Sequence, residues 1–156
     1  MVFIFKTIEI ALGAAMQQIV VGSEADGKAA LSYLKRTGGG RITVLPMNTI
    51  SGRSLQERGL EDCRGFVGIA SQLVTSEPQY RGIVENLLAR TVIVQDLDAA
   101  IQMSQKYSRR FKIVTLDGQV MNAGGSMTGG SVNKDAGILS RANELEKLTA
   151  QEEKLR

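Results

Sequence analysis

The sequence has no histidine and no tryptophan, one cysteine and two prolines. Without histidine, the commonest general base and the commonest metal ligand are missing. With Cys63 alone, an internal disulfide and a cysteine-cluster metal site are excluded. A catalytic thiol there would lack the imidazole that usually activates it. A reducing compartment, the cytoplasm, fits this cysteine usage. Aromatic residues make up only 4% of the chain, so the core must be built from Ile, Leu, Val, Ala and Met. No apolar run approaches the roughly 18 residues that a membrane helix needs. Residues 1–5 are too short for a signal-peptide core and lack a basic start. The net charge of +3 is too small to name a partner by itself.

What is present is ordinary for a globular domain: 156 residues, 43% of them hydrophobic and 22% charged. That length supports one compact core or two small lobes. Apolar residues at helical spacing predict a helix over residues 7–17, and the β-branched run at 18–21 predicts a short buried strand. A second helix is expected over 24–35, with Ala29, Ala30, Leu31 and Leu34 on its buried side and Gly38 to Gly40 stopping it. Residues 41–45 read as a strand closed by Pro46. Residues 47–64 are polar and irregular, and 65–74 are apolar and glycine-spaced. Further on, a helix is expected over 80–88, a strand over 91–94, a helix over 97–107 capped by Asp96 or Asp98, and strands over 111–116 and 119–121 joined by the Asp117-Gly118 turn. Residues 136–156 read as a helix. In it Ile138, Leu145 and Glu152 recur at seven-residue spacing, as do Arg141, Leu148 and Leu155, the start of a coiled-coil seam. The expected class is α/β, mixed α+β, in two small lobes; a single mixed sheet is the competing picture.

The run Gly124-Gly125-Ser126-Met127-Thr128-Gly129-Gly130-Ser131 is poor helix interior. It suits a place where backbone must approach another surface, either a phosphate or a second chain. Gly124 and Gly129 have the spacing of a phosphate-binding loop, but its lysine position holds Gly130. A nucleotide-dependent enzyme is therefore disfavoured. The carboxylates give no better site. Asp96, Asp98, Glu24 and Asp26 sit where helices begin, as caps and dipole partners. Glu61 and Asp62 lie in a polar loop with no evident partner. The densest basic cluster is Lys106, Arg109, Arg110 and Lys112, interleaved with Tyr107 and Phe111. It reads either as a phosphate-gripping surface with bases stacked on the rings or as a helix end carrying favourable cations.

Three further stretches carry a resemblance. Residues 8–15 followed by Gln18-Ile19-Val20-Val21, residues 29–35 followed by Arg41-Ile42-Thr43-Val44-Leu45-Pro46, and Val114-Thr115-Leu116-Asp117-Gly118 leading into the glycine run are together similar to the hinge domain of bacterial SMC (structural maintenance of chromosomes) chromosome-partition proteins. The likeness covers residues 6 to about 150. It implies a non-enzymatic hinge over 6–137, with one lobe at about 6–80 and a second at about 81–137. Residues 138–156 would begin an outgoing coiled-coil helix, and residues 1–5 would be a shortened incoming helix or foreign residues. The chain is then a fragment of a longer protein whose ATPase heads lie elsewhere. The implied function is homodimerisation, joining two coiled-coil arms in chromosome condensation and segregation at the nucleoid. Gly124, Gly125, Ser126, Met127, Thr128, Gly129 and Gly130 would lie at the dimer contact. DNA, single strands above all, would be a weak second partner, held by Lys106, Arg109, Arg110, Lys112 and Lys134. No cofactor, metal, small-molecule substrate or membrane is expected. The alternative is a nucleic-acid-binding module whose dimerisation is incidental.

Overall fold

The computed structural model describes residues 2–131 and 138–155, with side-chain surroundings for 4–131 and 145–155. The chain divides into two compact units that are interleaved in sequence. One comprises Met1–Ala11, Glu57–Gly68 and Thr91–Arg156; the other comprises Leu12–Gln56 and Ile69–Arg90. The sequence predicts two consecutive lobes, at about 6–80 and about 81–137.

The first unit is built on a five-stranded sheet. Its strands are β3 (Phe66–Ile69), β4 (Thr91–Val94), β5 (Lys112–Thr115), β6 (Val120–Met121) and β7 (Met127–Thr128), in that spatial order. Strands β4 and β5 run parallel, with Ile93 opposite Val114. The helix between them, α4 (Leu97–Lys106), makes the crossover that a parallel pair requires. Asp96 caps it by accepting the Ala99 backbone N–H at 2.8 Å. Its buried face is Ala99, Ala100, Met103 and Ser104; the three small residues bring the helix close to the sheet, and Met103 fills the space between. Gly65, at φ 79°, makes the turn into β3. A Cβ there would lie 2.6 Å from the Cβ of Ala99. The core is aliphatic: Val92, Ile93, Val94, Ile113 and Val114 are all at most 1% exposed. Helix α1 (Val2–Leu12) begins five residues before the expected start, so the apolar N-terminal residues are helical. Thr7 donates to the carbonyl of Leu116 at 3.4 Å, and Ile8 and Ala11 are buried. The last helix described is α5 (Ile138–Leu155), with Leu145, Leu148 and Leu155 exposed.

The second unit carries a two-stranded parallel sheet of β1 (Ile19–Val21) and β2 (Val44–Pro46), Val20 opposite Leu45. Helix α2 (Glu24–Thr37) connects them. Ser23 caps it through the Asp26 N–H, Lys35 and Arg36 occupy its last turn, and Gly38 closes it at φ 67°. Gly27 brings α2 onto the sheet, its α-carbon facing Val21 and Val44. Two expectations fail here. Strand β1 is not buried: Ile19 is 47% and Val20 42% exposed. Of the four residues assigned to the buried side of α2, Leu31 and Ala29 are exposed and Ala30 and Leu34 half-buried. A two-stranded sheet is too narrow to cover a fourteen-residue helix. Helix α3 (Arg81–Leu88) instead meets backbone. Gly82 lies against the carbonyl of Ile50, and Gly52 lies against the backbone of Glu85 and Asn86. The Asn86 side chain donates to the carbonyl of Ser51 at 2.9 Å.

Candidate interface and basic cluster

The glycine run folds into the outer arm of the five-stranded sheet. Strand β6 turns through Asn122–Ser126 into β7, which pairs antiparallel with it, Met121 opposite Met127 and Val120 opposite Thr128. The two-residue strand β7 inside the run is not legible from composition, because glycines flank it on both sides. As the last strand in the order, it leaves one edge without a strand partner among the described residues. Met127 is 55% exposed, and Ser126, Thr128, Gly129 and Gly130 are exposed with it.

Polar side chains on either side of β6 hold the arm at both ends. At the base, Gln119 accepts the Gly130 N–H through Oε1 at 3.0 Å and donates through Nε2 to the Gly130 carbonyl at 3.0 Å. At the tip, Asn122 donates through Nδ2 to the Ser126 carbonyl and to Thr128 Oγ1, each at 3.3 Å. Thr115 and Asp117, joined by a short hydrogen bond, fix the turn before Gln119. The glycines have internal reasons as well. Gly124, Gly125 and Gly130 take φ of 90°, 107° and 128°, and a side chain at Gly129 would overlap Gln119. Sequence reasoning found the glycines but missed Gln119 and Asn122, whose roles depend on where the hairpin folds back.

The tip rests on the end of α4. Its C-terminal turn puts Ser108 and Arg109 at φ 57°, unusual for residues other than glycine. The Arg109 N–H donates to the Ser104 carbonyl, and the Arg109 carbonyl accepts the Gly124 N–H, both at 2.8 Å.

The basic residues separate into different surroundings. Arg109 and Arg110 are exposed. Lys106 is exposed, 5.4 Å over the Tyr107 ring and 3.9 Å from Cys63 Sγ. Half-buried Lys112 donates to the carbonyl of Ala11 at 3.3 Å, a cation at the negative end of α1. Lys134 lies outside the described residues. The aromatics do not form a stacking platform. Phe111 is buried, and its ring centroid lies 5.7 Å from that of Tyr107. The Tyr107 hydroxyl donates to the Arg58 carbonyl at 2.6 Å. Burial raises the phenol's pKa above its ordinary value, the Cys63 thiol adds to this, and Lys106 opposes it. Cys63 is half-buried and donates to the Gly59 carbonyl at 3.4 Å. Among the described residues, no cluster of acids and cysteine has the makings of a metal site, and no helix is long and apolar enough to cross a membrane.

Comparison with known proteins places this architecture. Residues 4–104 match the family model of the SMC proteins flexible hinge domain. The chromosome partition protein Smc of Bacillus subtilis (strain 168) is 44% identical over 146 residues, 91% of this chain and 12% of that protein. Smc of Methanocaldococcus jannaschii is 37% identical over 159 residues, 97% of this chain and 13% of that protein. The chain thus spans about an eighth of the length of these relatives. Among solved structures, an asymmetric dimer of the Geobacillus stearothermophilus SMC hinge domain matches with TM-score 0.81 and 43% identity, covering 94% of this chain and 60% of that one. The Pyrococcus furiosus Smc hinge domain with an extended coiled coil matches with TM-score 0.65 and 28% identity, covering 96% and 52%. The chain belongs to the SMC hinge domain family.

Proposed function

We propose that this chain is the homodimerisation hinge of a chromosome-partition protein, and that it joins two coiled-coil arms at the nucleoid. One observation carries the reading: β7 is an exposed edge strand, held rigid by Gln119 and Asn122 yet open on its outer side. A pre-ordered open edge recruits a partner strand through backbone hydrogen bonds at little entropic cost. The second copy of the chain is the partner, as in the Geobacillus hinge dimer. Exposed Ile19 and Val20 of β1 offer the complementary apolar edge on the other protomer. Helix α5 begins the outgoing arm, its exposed Leu145, Leu148 and Leu155 awaiting a second helix. The chain performs no chemistry itself; ATP hydrolysis belongs to heads outside this segment.

DNA contact is a secondary role in this reading. Lys106, Arg109 and Arg110 provide exposed cations, none of them in an ion pair that the structure records. With Phe111 buried, binding there rests on phosphate contact, not stacking, and is weak and salt-sensitive.

The test is self-association of the wild-type chain and of Met127→Lys by light scattering over a dilution series. The wild type is expected at twice its 16.8 kDa mass. Met127→Lys sets a charge against the apolar β1 edge of the partner, once in each of the two symmetry-related contacts, without disturbing any buried residue. It is expected to weaken the dimer by about tenfold or more, the scale of a central interface residue. A monomeric wild type at every concentration rejects the reading.

A further inference from the structure

Arg109 stands apart from the other cations of its cluster because three features of it converge on the interface arm. Its backbone is left-handed at φ 57°, a conformation that an L-residue adopts at a cost. That conformation aims its carbonyl at the Gly124 N–H, 2.8 Å away. Its aliphatic stem covers the α-carbon of Gly125: a Cβ at Gly125 would lie 2.9 Å from Arg109 Cδ and 3.4 Å from Nε. The neighbouring link, Arg109 N–H to the Ser104 carbonyl, ties the same residue to the buried end of α4. Arg110, the next residue along, has no recorded hydrogen bond or contact to the arm.

We infer that Arg109 is a positioning residue for self-association: its left-handed backbone and its stem set the angle at which the β6–β7 arm leaves the sheet. This rests on the dimer reading above and assigns Arg109 a task that its charge does not explain. Among the described residues, the arm is attached to the rest of its unit through β6, through Gln119 at the base, and through this backbone hydrogen bond at the tip. Removing the tip support leaves the short strand β7 free to pivot about its base. An edge strand that pivots no longer presents its backbone groups in register to a partner.

The experiment compares three variants in the full chain by dimer dissociation constant and by hydrogen exchange of the Gly124 amide. Arg109→Met keeps an unbranched stem and removes the charge; it is expected to dimerise within about twofold of wild type. Arg109→Val branches at Cβ and resists the left-handed backbone. It is expected to weaken the dimer about tenfold and to lose protection at Gly124, while amides of β4 and β5 stay protected. Arg109→Gly keeps the backbone conformation, deletes the stem and folds without strain. It is expected to weaken the dimer about threefold. The proposal is overturned if Arg109→Met weakens the dimer as much as Arg109→Val, since charge would then be the cause. It is also overturned if Arg109→Val or Arg109→Gly dimerises as tightly as wild type. A wild type that never dimerises rejects the functional reading instead, so the two failures are distinguishable.

Discussion

The two units of this chain solve the same problem with different materials. The five-stranded unit closes a core of branched aliphatic side chains: Val92, Ile93, Val94, Ile113 and Val114 are sealed between sheet and helix. The unit built on β1 and β2 buries far less side chain. It holds α3 through glycines that let backbone touch backbone, and it leaves Ile19, Val20, Leu31 and Tyr33 on its surface. The difference teaches where stability and function are kept apart. A unit with a complete core can carry an exposed arm at its edge without loss. A unit with an incomplete core leaves apolar surface uncovered.

The sharpest way to break this comparison is to hollow each unit in turn. Ile113→Ala removes a fully buried side chain from the centre of the larger sheet. It is expected to cost about 2–5 kcal/mol of unfolding free energy, measured by denaturant titration. A cost below about 1 kcal/mol would mean that this core is not the tightly packed one described. In the smaller unit the corresponding weak point is a glycine. A side chain at Gly52 overlaps the backbone of Glu85 and Asn86, and nothing there can rotate out of the way. Gly52→Ala is expected to cost about 1–3 kcal/mol, as overpacking does. Increased proteolysis within residues 47–56 should accompany it. A neutral Gly52→Ala would show that the loop does not lie on α3 and would erase the contrast between the units.

The same contrast explains what the sequence made legible. Strand β4, helix α4 with its Asp96 cap, and the β5–β6 turn were all readable, because each is specified by neighbours within a dozen residues. The family was readable from the ordered combination of short stretches. Burial in the smaller unit was not. A β-branched run such as Ile19-Val20-Val21 specifies extended backbone but not a covering layer. Leu31 and Leu34 lie at helical spacing whether or not a sheet is wide enough to meet them. The interleaving was hidden for a related reason: residues 57–68 join β4 and the end of α4 through long-range hydrogen bonds, such as Gln95 N–H to the Gly65 carbonyl and the Tyr107 hydroxyl to the Arg58 carbonyl, that no local pattern encodes. In the arm the glycines drew attention to themselves, whereas Gln119 and Asn122 look like any surface amide until the chain folds back on them.

The middle segment of the larger unit offers the smallest and most selective test. Tyr107 on the α4 end binds the Arg58 carbonyl, so one phenol tethers residues 57–68 to the sheet unit. Burial, and then Cys63, raise its pKa above the usual value of about 10. The folded state therefore holds this proton more tightly than the unfolded state. Stability from the tether is present in full below pH ~10 and is lost as pH rises through the raised value, because there the folded state binds more protons. Tyr107→Phe lacks both the hydrogen bond and the titration. At neutral pH it is expected to cost no more than about 0.5–1.5 kcal/mol, the net worth of one such bond. Above pH ~10 the wild-type melting temperature should fall more steeply than that of Tyr107→Phe, narrowing the gap between them. Parallel slopes for the two proteins across that window would mean that the phenol is not protected. The segment would then rest on β3, the Gly65 hydrogen bond and buried Leu60, and the larger unit would be less firmly closed than its core implies.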